Sequence, residues 1–240
     1  MLFNSYIFIF LFLPLVLAGW YLFNNLKAYR LAKLFLAGMS LWFYGYFNVN
    51  YLLVIIFSIL GNYFLSYLMK FSRTRLTDRL GLISGILLNL GLIFYFKYYD
   101  FFFENINLAF HTNFTLKNIL LPLGISFFTF QQISFIIDRC TGKAEHYSID
   151  NYLIFVTFFP QLIAGPIVLY KEMIPQFENL KNKRFQAENF ARGITLFTLG
   201  LGKKVLLADV LAIPVNYGFD HTIFLDTPSA LLVVLAYTFE

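Results

Sequence analysis

Two apolar runs in the middle of the chain carry polar side chains and helix-breaking residues that a lipid-facing helix would avoid. Their sequences are ILLPLGISFFTFQQISFIID at 119–138 and NYLIFVTFFPQLIAGPIVLYKEMIPQF at 151–177. Hydrocarbon satisfies neither amide side chains nor freed backbone groups, so such groups more often line a cavity than face lipid. The two runs are therefore predicted to form the wall of a pathway or reaction chamber. The residues concerned are Gln131, Asp138, Pro160, Gln161, Gly165 and Pro166.

Gln131 and Asp138 are seven residues apart, which is two helical turns, so they share one face of a helix. The Gln131 amide is suited to hydrogen-bond either an acyl donor or a structural partner. Asp138 stands beside Arg139, and two interpretations stay open for it. It is either half of an ion pair at the helix end or a functional carboxylate of the chamber.

The segment FFPQLIAGPIV predicts an interrupted helix in the second run. Each proline removes one helical hydrogen bond, and a glycine allows close approach of the backbone. A kink within a packed helix and a broken helix that lines a cavity are both compatible with this pattern.

The composition is that of a polytopic membrane protein. Hydrophobic residues make up 59% of the chain and charged residues 13%, against about 25% charged residues in ordinary soluble domains. The net charge of +5 comes from Lys and Arg between apolar runs, which indicates membrane-protein loops rather than nucleic-acid binding. The single cysteine, Cys140, excludes an intrachain disulfide. Motifs of serine hydrolases, zinc enzymes and P-loop ATPases are absent from the sequence.

The distribution of charge predicts both the spans and their orientation. Spans are expected near residues 6–23, 34–47, 51–69, 80–96 and 119–137, with a neutral turn at 48–50. The loops 27–33 and 70–79 are basic, and short basic loops stay in the cytoplasm. The N-terminus is therefore predicted outside, and residues 98–118 are predicted to be an outer loop that begins with an aromatic belt.

The run at 151–170 breaks this scheme, because a basic segment follows it where an outer segment is expected. The run either crosses the membrane despite its basic successor or re-enters it, and its prolines favour re-entry. Residues 171–190 then form a cytoplasmic surface segment with a short amphipathic helix. The run Ile194–Gly202 is too short to span before the next lysines, and Ala230–Phe239 reaches only ten residues.

Four segments of the chain closely resemble the membrane-bound O-acyltransferase family, in its alginate O-acetyltransferase-like branch. The resemblance covers most of the chain from about residue 40 onward, and its long motifs are rich in Gly, Pro and Gln. The segments are LNLGLIFYFKYYDFF at 88–102, LPLGISFFTFQQISFIIDRCTGK at 121–143, FFPQLIAGPIVLYKEMIPQF at 158–177 and GITLFTLGLGKKVLLAD at 193–209.

The resemblance implies an all-α polytopic membrane protein: a helical tunnel or ring of about seven or eight membrane-embedded helices, at least one of them broken or re-entrant. Residues 1–240 are then a single transmembrane domain, the N-terminal part of a longer one, in a chain truncated at its C-terminus. In such a fold the Gly/Pro segment is a cavity-lining broken helix with Gln161 pointing into the cavity. Lys203 and Lys204 either attract the phosphates of an acyl-coenzyme A from the cytoplasmic side or snorkel at the membrane interface.

Acyl transfer to a hydroxyl needs a general base, and histidine is the usual one because its pKa lies near neutrality. The three histidines, His111, His146 and His221, all lie in polar loops. The catalytic histidine of the family lies in a hydrophobic segment that matches none of these positions. It is therefore expected beyond residue 240, and no catalytic residue or metal ligand is assigned within the chain.

The function implied by the resemblance is that of part of a bacterial O-acyltransferase. An acyl group, expected to be acetyl, comes from cytoplasmic acetyl-coenzyme A or another activated donor, which is a substrate rather than a bound cofactor. It crosses the membrane toward a cell-envelope polysaccharide, either alginate-like exopolysaccharide or peptidoglycan, with an extracytoplasmic acetyltransferase partner. The expected location is the bacterial cytoplasmic membrane. The alternatives are a transporter or channel subunit, an inactive fragment, and a relative of D-alanyl transfer proteins.

Overall fold

The computed structural model describes residues 1–72, 74–142, 147–162, 165–166 and 168–239. Within these residues every regular element is helical, as expected where hydrocarbon leaves backbone groups no external partner. Among them, three helices are long and apolar enough to cross a membrane: Phe8–Asn25, Val49–Met69 and Arg75–Phe110. The all-α class is confirmed.

The chain divides into two compact units. The first contains Met1 and Leu15–Arg184, and the second contains Leu2–Pro14 and Phe185–Glu240. The helices up to residue 184 are α1 (Leu13–Asn25), α2 (Tyr29–Gly45), α3 (Val49–Ser72), α4 (Arg75–Ile93), α5 (Tyr99–Phe110), α6 (Ile125–Cys140), α7 (Ile149–Thr157), α8 (Phe159–Leu162) and α9 (Tyr170–Glu178).

Local sequence explains where several of these helices begin. The Thr74 hydroxyl accepts a hydrogen bond from the Thr77 N–H and starts α4, and the Ser148 hydroxyl does the same for the Asn151 N–H at the start of α7. Such hydroxyls satisfy amide groups that the first turn of a helix leaves without partners. Gly124 has a φ of 69°, outside the helical region, directly before α6.

The core of the first unit lies where α6 packs against α3, α4 and α7. Gly85 of α4 allows the close approach of α6, because a Cβ at that position would lie 2.4 Å from Ile136 Cδ1. Phe135 is fully buried at the centre of this core. Its ring centroid is 4.7 Å from that of Tyr152 and 5.2 Å from that of Tyr170, so α6, α7 and α9 share one aromatic cluster.

The predicted outer loop at 98–118 is wrong for most of its length. A π-helical turn, Phe94–Tyr98, continues α4 directly into α5, so the helix extends to Phe110. No Pro or Gly interrupts residues 92–110, and helical hydrogen bonding therefore continues past the predicted membrane boundary.

The predicted span at 119–137 is also placed too early. Its first six residues are non-helical, and α6 begins only at Ile125, because Pro122 and the positive φ of Gly124 prevent an earlier start. Two other predictions are confirmed in outline. The chain turns between α2 and α3, at residues 46–48 rather than at the predicted 48–50, and a short helix, α9, follows residue 169.

The second unit contains α10 (Ala187–Gly202), α11 (Asp209–Asp220) and α12 (Thr227–Phe239). A π-helical turn, Lys203–Ala208, joins α10 to α11 without a break, so the helical run there is longer than the predicted Ile194–Gly202. In α11, Gly218 permits close packing on α12, since a Cβ there would lie 2.4 Å from Val233 Cγ2. The Asp226 carboxylate accepts the Ser229 N–H and starts α12.

Candidate functional site

The second apolar run is a broken helix, and the break lies between α7 and α8. In a continuous helix the Phe159 N–H would bond the Phe155 carbonyl. Here the Phe159 N–H donates instead to Ser40 Oγ of α2, at 3.2 Å. The Phe155 carbonyl accepts two side-chain amides, Gln131 Nε2 at 3.2 Å and Gln161 Nε2 at 3.0 Å. Three polar side chains therefore satisfy the backbone groups that the break releases.

This geometry brings together Gln131 and Gln161, which sequence reasoning singled out separately. Gln131 is 3% exposed and Gln161 8% exposed. Gln161 Nε2 also lies 3.4 Å from Met173 Sδ. Both amides therefore have protein partners on the inner side of the broken helix, and contact of either with a donor stays a prediction.

Gly165 continues the turn after α8 at a position that admits only glycine. Its N–H donates to the Gln161 carbonyl at 3.1 Å, and a Cβ there would lie 2.3 Å from Gln161 Cα, which is a backbone atom. Pro160 and Pro166 flank this turn and are both exposed. Pro160 lies in the first turn of α8, where proline is tolerated.

The end of α9 returns to the start of α7. Asn151 Nδ2 donates to Glu178 Oε1 at 2.7 Å, although 27 residues of continuous helix would separate these positions by about 40 Å. We call residues 149–178 the α7–α9 segment; residues 163–164 and 167 in it lie outside the described ones. The two ends of this segment therefore lie next to each other in the first unit.

A buried charged cluster, which sequence reasoning missed, holds these ends. Lys33 of α2 is 7% exposed and Asp150 3% exposed. Lys33 Nζ donates to Asp150 Oδ2 at 2.9 Å and also to Asn151 Oδ1. Arg30 Nε lies 3.8 Å from the other Asp150 oxygen. From the sequence, Lys33 could be interpreted only as a basic residue that indicates membrane orientation. Its partners are 117 and 118 residues away, so no local pattern reveals them.

The electrostatics of this cluster follow from burial and pairing. Burial by itself raises the pKa of the Asp150 carboxyl, but hydrogen bonds from Lys33 and Ser148 outweigh it and hold the pKa below its ordinary value. Burial lowers the pKa of Lys183, and the positive charge of Lys33 lowers it further. The Lys183 ammonium lies over the Tyr29 ring, 4.2 Å from its centroid.

A second buried network connects α3, α6 and α7. Gln132 Nε2 donates to Ser58 Oγ at 3.0 Å, and the Tyr152 hydroxyl donates to Gln132 Oε1 at 3.1 Å. On the same helix α3, Asn62 forms a reciprocal amide pair with Asn89 of α4, at 2.6 and 3.3 Å. All five side chains have structural partners, so this network holds helices together.

Asp138 lies at the end of α6 and is 8% exposed. Among the residues described, its Oδ2 and the Nε of Arg139 are buried atoms without a hydrogen-bond partner. The ion pair between these two neighbours, one of the two interpretations of Asp138, is not formed. The Arg139 guanidinium lies instead over the Tyr147 ring, 5.6 Å from its centroid.

The two described histidines are exposed residues at or after the ends of helices. His111 ends α5 with a φ of 50° and is exposed. His221 is exposed, its Nδ1 lies 2.9 Å from the Tyr217 carbonyl, and its ring stacks on Tyr217. His146 falls outside the described residues. No group of three potential metal-ligating residues occurs in the part of the chain that the structure describes.

Lys203 and Lys204 belong to the second unit, in the π-helical turn after α10. Both are exposed, and Lys204 Nζ pairs with Asp209 Oδ1 at 2.7 Å. Lys204 also borders an apolar cleft of about 440 Å³ in this unit. The other residues that line the cleft are Leu2, Phe3, Asn4, Phe197, Gly200 and Leu201.

Comparison with known proteins agrees with the resemblance seen in the motifs. Residues 137–239 match the model of the membrane-bound O-acyltransferase family. The chain is 38% identical over 269 residues to the peptidoglycan O-acetyltransferase of Helicobacter pylori, covering 100% of this chain and 50% of that protein. It is also 38% identical over 249 residues to a probable alginate O-acetylase of Pseudomonas aeruginosa, covering 99% of this chain and 45% of that protein.

A more distant similarity covers less of the chain. Over 94 residues the chain is 26% identical to a teichoic acid D-alanyltransferase of Streptococcus thermophilus, covering 39% of this chain and 23% of that protein. The chain spans about half the length of the O-acetyltransferase relatives that it matches. No solved structure matches it. The resemblance to the acetyl-transferring branch of the family is confirmed.

Proposed function

This chain belongs to the membrane-bound O-acyltransferase family, and on that premise we propose that it is part of an enzyme that O-acetylates a cell-envelope polysaccharide. One observation carries the proposal: the similarity to a peptidoglycan O-acetyltransferase and to a probable alginate O-acetylase extends over essentially the whole chain. A local motif shared by chance would not extend through loops and helices alike. Peptidoglycan and an alginate-like polysaccharide are the two acceptor classes we consider.

We propose further that the α7–α9 segment is re-entrant and lines the reaction chamber. The hydrogen bond between Asn151 and Glu178 supports this, because it keeps entry and exit on one side. Helix α7 has nine residues, about 13.5 Å of helix against a hydrocarbon core of about 30 Å. The break after it therefore lies within the membrane layer, where Gln131 and Gln161 supply the polar lining.

The basic loops support a cytoplasmic position for the ends of this segment. Lys33, Arg30 and Lys183 surround the entry and exit, and short basic segments stay on the cytoplasmic side. The N-terminus is then outside, the protein is a multi-pass protein of the bacterial cytoplasmic membrane, and residues 1–240 contain about seven or eight membrane-embedded helices. The acyl group enters from the cytoplasm and leaves on the outer side toward an extracytoplasmic acetyltransferase partner.

The reaction joins the acyl carbon to the oxygen of an acceptor hydroxyl and breaks the acyl–sulfur bond of the donor. A base takes the hydroxyl proton and passes it to the leaving thiolate. We place that base outside His111 and His221, because both are exposed loop residues. Lys203 and Lys204 are assigned to the donor, since exposed ammonium groups attract the phosphates of acetyl-coenzyme A. Asp209 competes for Lys204 until an anionic donor replaces it.

The test is acetyl transfer in membranes that contain the protein at its full natural length. Labelled acetyl-coenzyme A is supplied, envelope glycans are extracted, and O-esters are released with mild alkali. Alkali-labile label in the glycan, absent from membranes without the protein, is the expected result. A glycan without label above that background contradicts the proposal.

A second candidate function is D-alanyl transfer, which the similarity to a teichoic acid D-alanyltransferase favours over 94 residues. The two functions differ in the group that is moved, so the same membranes are supplied with labelled D-alanine and its activating system. Label from D-alanine in the envelope, with none from acetyl-coenzyme A, would select the second function.

A further inference from the structure

Helix α2 contacts the α7–α9 segment at two points on one of its faces. Lys33 bonds Asp150 and Asn151 at the start of α7, and Ser40 accepts the Phe159 N–H at the break. Lys33 and Ser40 are seven residues apart, which is two turns or about 10.5 Å along α2. The two contacts therefore fix the entry of α7 and its end against a single rigid helix.

Asn151 extends the first of these contacts to α9. An ammonium group only donates hydrogen bonds and a carboxylate only accepts them, whereas an Asn side-chain amide does both. Asn151 Oδ1 accepts from Lys33, and its Nδ2 donates to Glu178 Oε1 at 2.7 Å. One amide thus links α2, α7 and α9 in a continuous chain of hydrogen bonds.

Because Lys33 is buried, the hydrogen bonds that link α2, α7 and α9 depend on one another. A buried ammonium is tolerated only when it is paired, and removal of one partner from a buried pair leaves a charge without compensation. Lys33 and Asp150 are both less than a tenth exposed. Loss of the ammonium therefore frees the start of α7 from α2 and removes the donor that orients the Asn151 amide. The hydrogen bond from Asn151 to Glu178 is weakened as a result, while the Ser40 contact remains.

We propose that Lys33, Asn151 and Glu178 form a clasp that closes the α7–α9 segment at its two ends, and that Lys33 is thereby a positioning residue for acyl transfer. The part that concerns transfer rests on the proposed function. The members of the clasp hold the ends of the segment, whereas the break lies at the other end of α7, about 12 Å along the helix from Asp150. Lys33 would therefore act by positioning the segment.

The first experiment measures the clasp without any enzymatic activity. Cys140, the only cysteine, is replaced by serine, and spin labels are attached at Ile149→Cys and Leu180→Cys, which are 41% and 60% exposed. The distance distribution between the labels is expected to be narrow with Lys33 and broader or longer with Lys33→Met. The matched control is Lys27→Met, which removes an exposed lysine just before α2, and it should leave the distribution unchanged.

A distribution that is the same in Lys33→Met and in the parent protein overturns the clasp. If Lys33→Met does not accumulate in membranes, Glu178→Met replaces it, because this change removes the acceptor of the hydrogen bond from Asn151 and leaves Lys33 paired. Glu178→Met should broaden the distribution, and an unchanged distribution in that variant again overturns the clasp.

The second experiment measures acetyl transfer with the variants at equal membrane abundance. Because misplacement by about 1 Å can lower a rate about 100-fold, Lys33→Met is expected to reduce transfer at saturating donor about 10- to 100-fold. Lys33→Arg, which keeps the charge and the donors, should restore most of it, and Lys27→Met should not change it.

Equal transfer by Lys33→Met and Lys27→Met contradicts the positioning role, as does failure of Lys33→Arg to restore transfer. Failure of the parent protein to transfer acetyl contradicts the proposed function instead. In that case the distances between the spin labels still test the clasp, so failure of the clasp and failure of the proposed function can be distinguished.

Discussion

The two amides at the break of the α7–α9 segment give the sharpest test of the structure. Gln131 and Gln161 both donate to the Phe155 carbonyl, at 3.2 and 3.0 Å. Replacing either by leucine leaves the carbonyl with the other amide. Replacing both leaves this buried backbone acceptor with neither side-chain donor.

The magnitudes follow from this geometry. One side-chain hydrogen bond between helices in a membrane contributes about 0.6 kcal/mol and at most about 1.7 kcal/mol. A buried acceptor left without a partner costs about 1–3 kcal/mol. Gln131→Leu and Gln161→Leu should therefore each lower the free energy of unfolding by about 0.5–1.5 kcal/mol. The double variant should lose about 1 kcal/mol more than the sum of the two.

The assay is reversible unfolding of the protein in detergent micelles or bicelles, read as a double-mutant cycle. Gln176→Leu serves as the matched control, because Gln176 is exposed and donates only to Glu172 of its own helix; its effect should stay within about 0.5 kcal/mol. Additive losses in the double variant, within about 0.3 kcal/mol, would refute the reasoning, because the two amides would then not share one acceptor.

Three further predictions follow from the other polar contacts. Asn89→Leu should destabilise by about 0.6–1.7 kcal/mol, because it leaves the buried Asn62 Oδ1 without its donor, and leucine at both positions should recover part of this loss in the same unfolding assay. Asp150 has a lowered pKa, so its stabilisation is complete above the ordinary Asp pKa and is lost as pH falls through the lower folded value. The label distance between positions 149 and 180 should therefore stay constant from pH 7 to about 5 and change only below about 3.9; a change near pH 6 would contradict this. Replacing Lys203 and Lys204 by methionine should raise the acetyl-coenzyme A concentration that gives half-maximal transfer, without changing the rate at saturation. Titration with acetyl-coenzyme A measures both quantities. An unchanged half-maximal concentration would contradict a role of the two lysines in binding the donor.

The sequence predicted the features that depend on local chemistry. The apolar composition required an all-helical fold, Asn48 and its neighbours marked a turn, and Pro160 with Gly165 marked a broken helix. Each of these follows from a residue and its immediate neighbours. Gln131 and Gln161 were recognised because an amide in an apolar run needs a partner, but the shared partner, the Phe155 carbonyl, is freed only by the tertiary position of Ser40.

The features that the sequence did not predict depend on distant residues. Lys33 and Asp150 are 117 positions apart, and no spacing rule joins them. Lys33 was interpreted through membrane topology alone, because a basic residue in a short loop is usually exposed. The predicted loop at 98–118 failed for a different reason: a change from apolar to mixed residues marks a membrane boundary, but it does not end a helix that lacks Pro and Gly.

In the orientation proposed above, the length of the helix Arg75–Phe110 has a consequence for the outer surface. Its 36 residues measure about 54 Å, whereas the hydrocarbon layer is about 30 Å thick. Asp100 near its far end accepts the N–H groups of Lys117 and Ile119, at 2.7 and 3.3 Å, so the following segment is tied to the helix.

In that orientation the helix is a spacer, and the length of it that extends beyond the lipid depends on the thickness of the bilayer. A thicker bilayer covers more of it and a thinner one covers less, apart from changes in tilt. Any glycan or protein that meets residues 111–119 is presented at a distance from the membrane that varies with lipid composition. A cell could thus alter the access of an acceptor to this surface by changing its lipids, without altering the protein.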